Sequence, residues 1–197
     1  MKIVTINGSA RKGSYTGKAL ALVHAELKSL EGVSVSVIEP AQLKLAIPGS
    51  GMDASGAGEM QDLVREADGV VLATPEYHGS FSSLMKLVLE NMGHPSQLKG
   101  KTISLLGVAA GRIGAVKSLE HLRSVCGHIG ALVVPRVISV AEVRTVFDKQ
   151  GNCLDPAVDR EIRGLGLDLV KFIHEMRCPE ISFEEMVRKN RLEKVGY

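Results

Sequence analysis

Little in this sequence calls for a polyanionic partner, a membrane or an oxidising compartment. Lysine and arginine total 24 against 22 aspartates and glutamates, a net charge of +2, so no excess of either sign suits nucleic acid. The basic stretch Arg188-Lys-Asn-Arg191 lies in a mixed-charge tail and reads as a solvated helix face. No apolar run approaches the ~20 residues of a spanning helix, and no charged-then-apolar leader opens the chain. There are only three cysteines, Cys126, Cys153 and Cys178, odd in number, far apart and without a Cys-x-x-Cys pair. A reduced, cytoplasmic compartment is the expectation, with neither nucleic acid nor membrane as partner. His24, His94, His121, His128 and His174 show no metal-ligand spacing, so no metal site is expected. At 197 residues and 45% hydrophobic, the chain can bury one substantial core.

Two familiar phosphate-binding signatures are also missing. A Walker loop needs Gly-x4-Gly-Lys-Ser/Thr; Gly8 and Gly13 have the spacing, but Ser14 and Tyr15 stand where Lys and Ser/Thr belong. A dinucleotide fingerprint fails at Ala10, where the second glycine should be. What stands there instead is a short apolar strand, Lys2-Ile-Val-Thr-Ile-Asn7, then a loop with Ser9, Arg11, Ser14 and Thr16. A helical pattern follows at Leu20, Val23, Leu27 and Leu30. Hydroxyls, one guanidinium and a helix N-terminus suit a terminal phosphomonoester. An ordinary solvated turn with Ser14 or Thr16 as N-cap accounts for the loop equally well.

The remaining periodicities lay out an α/β chain. Val33–Ile38 alternates strictly and reads as an edge strand, Gly69–Thr74 is apolar throughout and central, and Thr102–Val108 is a fourth strand. Ala131–Val140 is the last strand, placed at an edge by Pro135, which lacks a ladder donor. Helices are expected over 59–67, from about Ser82 to Met92, through Val116–Val125 and from Pro156, with a Gly-rich mobile loop over 47–58. The turn Asp148–Asn152 could close a small hairpin. Five strands alternating with five helices predict a doubly wound parallel sheet of order 2-1-3-4-5, helices on both faces. One domain spans 1–178; residues 179–197 form a helical appendix with a Ser182/Glu185 capping box and an apolar face packed on its own domain.

In that topology, ligands bind at the carboxyl ends of strands one and three. Three polar loops leave the carboxyl ends of strands one, three and four, and so converge on one rim. The second is Pro75-Glu-Tyr-His-Gly79, with backbone donors and the Tyr77 ring; the third is Ala109-Ala-Gly-Arg-Ile-Gly114, with Gly111 and Arg112. Together they suit a ligand with a phosphate at one end and a flat heterocycle at the other. Flavin mononucleotide has that shape, and Arg112 or a helix N-terminus could meet the negative charge of its reduced ring. Only seven aromatics occur, and Tyr15, Tyr77 and Phe81 fall at these loops, which favours ring contact.

The motifs resemble the NAD(P)H-dependent FMN reductases of flavodoxin-like fold, which include flavin, quinone, azo-dye and metal-ion reductases. Gly8-Ser-Ala-Arg-Lys-Gly-Ser-Tyr-Thr16 is similar to the family's opening loop, and Thr74-Pro-Glu-Tyr-His-Gly-Ser80 to its second. Met85-Lys-Leu-Val-Leu-Glu90 is similar to the helix that follows. The resemblance implies that Ser9, Arg11, Ser14 and Thr16, with Tyr15 beside them, hold the flavin phosphate. It implies that Pro75, Glu76, Tyr77, His78 and Gly79 line the ring, His78 standing where the family has Asn. The implied chemistry is hydride transfer from NADPH or NADH to FMN, then to a small-molecule acceptor, with no catalytic protein nucleophile. A homodimer or homotetramer through the helix after residue 80 is also implied, with Lys86 and Glu90 either a local pair or a bridge between subunits. A flavodoxin-like one-electron carrier is an alternative that the near-neutral charge disfavours. A NAD-binding module, with Glu39 gripping a ribose, is weakened by the missing glycine fingerprint.

Overall fold

The computed structural model describes residues 1–176. In chain order its elements are β1 (Lys2–Asn7), α1 (Tyr15–Ser29), β2 (Ser34–Ile38), α2 (Ala57–Glu66), β3 (Gly69–Tyr77), β4 (Ser80–Phe81) and α3 (Ser83–Glu90). They continue as β5 (Thr102–Val108), α4 (Val116–His128), β6 (Leu132–Val133), β7 (Ile138–Val140), α5 (Val143–Val146) and α6 (Pro156–Met176). The sheet runs β2-β1-β3-β5-β6, with β7 also beside β5, and each of these pairs is parallel. Counting β6 and β7 as two pieces of one strand gives the doubly wound order 2-1-3-4-5 read from the sequence.

The fifth strand is split because of Pro135. β6 pairs Leu132 and Val133 with Thr102 and Ile103; pairing resumes only at Ile138 opposite Leu106. The ring removes a donor between the two pieces, a break that an edge can accept and a central strand cannot. At the opposite edge, β2 buries only Ile38 fully, and Val37 stays 47% exposed.

Helices cover both faces of the sheet. Residues of α2, α3 and α4, among them Met60, Val88 and Leu122, pack on one side. Residues of α1, α5 and α6, among them Val23, Val146 and Leu165, pack on the other. β3 and β5 lie between the two layers and are buried almost from end to end, as their unbroken apolar runs require.

Three sequence readings change. The second polar loop is not an open loop: β3 continues to Tyr77, turns through His78 and Gly79, and returns as β4. α2 starts at Ala57, inside the stretch read as loop. α5 adds a short helix that the sequence reading did not contain, too brief to show a period. The 148–152 turn does close a small antiparallel bridge, between Phe147 and Cys153. The appendix 179–197, with its capping box and Arg188–Arg191, lies outside the described residues, as does Cys178.

Candidate active site

β1 ends at Asn7, and the chain then passes against β3 before turning into α1. The Gly8 amide donates to the Ala73 carbonyl at 2.7 Å, and a Cβ on Gly8 would lie 2.7 Å from that oxygen and 2.8 Å from Met85 Cε. Only glycine lets loop one lie this close to the sheet. Ser82 fastens the other side: its hydroxyl donates to the Gly8 carbonyl at 2.5 Å and accepts from the Met85 amide at 3.0 Å as the N-cap of α3. The Ser82 amide in turn donates to Thr74 Oγ1 at 3.1 Å, inside β3. This buried network locks loop one, the β3–β4 hairpin and α3 together. The sequence marks Ser82 as a helix start; nothing in it marks the long-range bond to Gly8.

Beyond Gly8 the loop hydroxyls turn to short local work. Asn7 Oδ1 accepts from the Ser9 amide at 3.2 Å, and buried Ser9 Oγ accepts from the Arg11 amide at 3.4 Å. Ser14 is the N-cap of α1, accepting from the Gly17 amide at 3.0 Å, so the capping reading of Ser14 is correct. A hydroxyl that accepts through its oxygen still has its proton to donate, so capping and anion binding are compatible at both serines.

The hairpin supplies the opposite wall. His78 has φ of 51° and Gly79 of 74°, the two left-handed residues of a tight two-residue connection. Asn takes the first of these positions more readily than His, which gives a backbone reason for the Asn of the similar motif. The Tyr77 ring is 43% exposed and lies 5.9 Å from the Arg11 guanidinium carbon, so loop one and the hairpin face each other. The Glu76 carboxylate accepts from the Ser118 amide at 3.1 Å, in the first turn of α4. Its charge is thereby set against the positive end of that helix.

Between them lies a cavity of about 400 Å³ that takes its walls from all three loops. Loop one lines it with Ser9, Arg11, Ser14, Tyr15 and Thr16, and β3 with Pro75, Glu76 and Tyr77. His78 and Gly79 make the turn but are not among the lining residues, and neither are Gly111 and Arg112. Loop three contributes Ala109 and Ala110 instead. The Gly111 carbonyl accepts from Gly114 and Glu142, and Arg112 is 90% exposed with its Nε 3.6 Å from Glu142. Phe81 packs against the core below β4 rather than into the cavity, and Tyr15 leans toward Phe147, ring centroids 6.5 Å apart. Arg144 of α5, which has no motif around it in the sequence, also reaches the wall. Lys86 and Glu90 form the local i, i+4 pair on α3.

The donor set fits a phosphomonoester joined to a flat ring: hydroxyls, Arg11 and the α1 N-terminus from loop one, and the Tyr77 ring from β3. Residues 1–145 match the family model described as NADPH-dependent FMN reductase. The chain is 32% identical over 165 residues to an NAD(P)H-dependent FMN reductase of Pseudomonas aeruginosa, covering 79% of this chain and 85% of that protein. It is 28% identical over 187 residues to a quinone reductase of Escherichia coli, covering 90% and 97%. Its fold matches that of FerB, a flavoenzyme NAD(P)H:(acceptor) oxidoreductase from Paracoccus denitrificans, with a TM-score of 0.71 at 19% identity, covering 88% and 97%.

Proposed function

Because this chain belongs to the NADPH-dependent FMN reductase family, we propose that FMN sits in the three-loop cavity, phosphate toward loop one and ring toward Tyr77. The activity is that of an NAD(P)H-dependent flavin oxidoreductase, with FMN as cofactor and a small molecule as electron acceptor. When bound, FMN supplies the chemistry: it takes two reducing equivalents from the nicotinamide and gives them to the acceptor. Neither the one-electron carrier nor the NAD-binding module is favoured.

The protein's part is to hold and orient. Arg11 meets the phosphate charge, Ser9 and Ser14 donate the hydroxyl protons that their backbone bonds leave free, and Thr16 closes the wall beside the α1 N-terminus. Pro75 and Tyr77 bracket the ring. Glu76 would be an unfavourable neighbour for a reduced, anionic ring, and its bond to the α4 amide offsets that charge. The exposed Tyr77 edge leaves room for an acceptor to approach; quinones, azo compounds, free flavin and metal ions are the candidate classes, the first by likeness to the quinone reductase relative.

The single observation that carries this reading is the meeting of Arg11 and Tyr77 in the wall of one cavity, the guanidinium carbon 5.9 Å from the ring centroid. NADH or NADPH consumption with FMN and a quinone tests it; rapid turnover with at least one of the two is expected, and near-zero turnover with both in protein that retains FMN would favour a carrier. The working form in this proposal is a cytoplasmic homodimer or homotetramer joined through α3. Sedimentation of Lys86→Ala tests that contact: a fully assembled variant counts against a bridge through Lys86.

A further inference from the structure

A second cleft, of about 520 Å³, lies behind loop one and shares Arg11, Lys12, Gly13 and Ser14 with the flavin cavity. Its back wall is Glu39, at the end of β2, and Asn7, at the end of β1. Asn7 Nδ2 donates to Glu39 Oε2 at 3.0 Å, while Asn7 Oδ1 accepts from the Ser9 amide, so one side chain orients both the carboxylate and the phosphate loop. Glu39 Oε1 has no hydrogen-bond partner among the described residues. Gly17 and Ala21 give the α1 side of the cleft a small-residue floor, flanked by Lys18 and Leu22, and Lys12 lines both openings with no ion pair among the described residues.

We propose that this cleft holds the adenosine diphosphate half of the nicotinamide dinucleotide, whose nicotinamide reaches over loop one to the flavin. The inference rests on the flavin reading above. A carboxylate pinned through one oxygen presents its other oxygen to a pair of vicinal hydroxyls, the arrangement a ribose diol offers. The floor accepts a purine face because no side chain longer than a methyl rises from Gly17 or Ala21. Lys12 meets the diphosphate where it crosses the loop, which leaves Arg11 to the flavin phosphate. Glu39 also sets a preference. A 2′-phosphate on the same ribose would sit as a dianion beside the carboxylate, so the cleft favours the unphosphorylated dinucleotide.

The test is calorimetric titration of ADP-ribose and of 2′-phospho-ADP-ribose into the protein with and without FMN, while FMN fluorescence reports release of the flavin. ADP-ribose is expected to bind the FMN-loaded protein without displacing FMN, and more tightly than its 2′-phosphorylated form. Glu39→Gln, which keeps an acceptor for Asn7, should weaken ADP-ribose about tenfold and erase the preference. Ala21→Glu should abolish ADP-ribose binding and leave FMN affinity unchanged. Competition between ADP-ribose and FMN, absence of ADP-ribose binding, or indifference to both substitutions overturns the proposal. Protein that takes no FMN yet binds ADP-ribose through Glu39 refutes the flavin reading and leaves the cleft assignment standing.

Discussion

Replacing Ser82 with Ala removes two bonds at once, and their sizes can be separated. The hydroxyl caps α3 through the Met85 amide at 3.0 Å, and loss of a serine N-cap costs about 0.5–2 kcal/mol. It also satisfies the Gly8 carbonyl at 2.5 Å in a site where Ser82 is only 4% exposed. A buried carbonyl left without its donor costs about 1–3 kcal/mol. The two together give about 1.5–5 kcal/mol, a fall in Tm of about 3–20 °C for a domain of this size. Ser82→Gly divides the sum, since glycine replaces serine as an N-cap at a cost of only a few tenths, leaving the Gly8 bond as the main loss. Loop one should also hold its phosphate site less firmly. An ordering penalty of about 1 kcal/mol corresponds to FMN binding about fivefold weaker in both variants. Thermal melts followed by FMN fluorescence titrations measure both quantities. A Ser82→Gly variant with unchanged Tm and unchanged FMN affinity would show that this bond does not hold the loop.

Two further outcomes follow from local geometry. His78→Asn should raise stability by up to about 1 kcal/mol, because Asn tolerates a φ of 51° better, whereas His78→Val should lower it by about 1–2 kcal/mol; thermal melts of the pair would contradict this if the order reversed. Burial pushes the Cys126 thiol up to about 12, against a small opposing pull from Arg123, so at pH 8 about one molecule in 10⁴ carries the thiolate. Mass spectrometry after iodoacetamide should find Cys126 unmodified in the native protein and alkylated once it is unfolded; native labelling at the rate of a free thiol would contradict its burial.

Periodicity made the fold legible and motif spacing made half of the site legible. The continuous apolar runs of β3 and β5 could only be buried on both faces, and Pro135 alone placed the last strand at an edge. Loop one was readable because glycine, hydroxyl and guanidinium fall between a strand and a helix. The hairpin was not, since His78 and Gly79 report a left-handed turn only once the following Ser80–Phe81 pairs back on β3. Arg112 looked well placed by chain order, yet loop three bends toward Glu142 and leaves its two alanines at the cavity. Arg144 and the Asn7–Glu39 pair depend on elements brought together across the sheet. Such contacts have no signature in a linear pattern.

The phosphate grip of Arg11 is the claim on which the rest depends, and comparing FMN with riboflavin isolates it, because the two differ only in the phosphate. Fluorescence titration of the wild-type protein should show FMN bound far more tightly than riboflavin. Arg11→Ala should weaken FMN by about 10- to 100-fold, the size of one charge-assisted contact, and leave riboflavin nearly unchanged. Equal affinity for the two ligands in the wild-type protein, or an equal loss for both in the variant, would contradict the account.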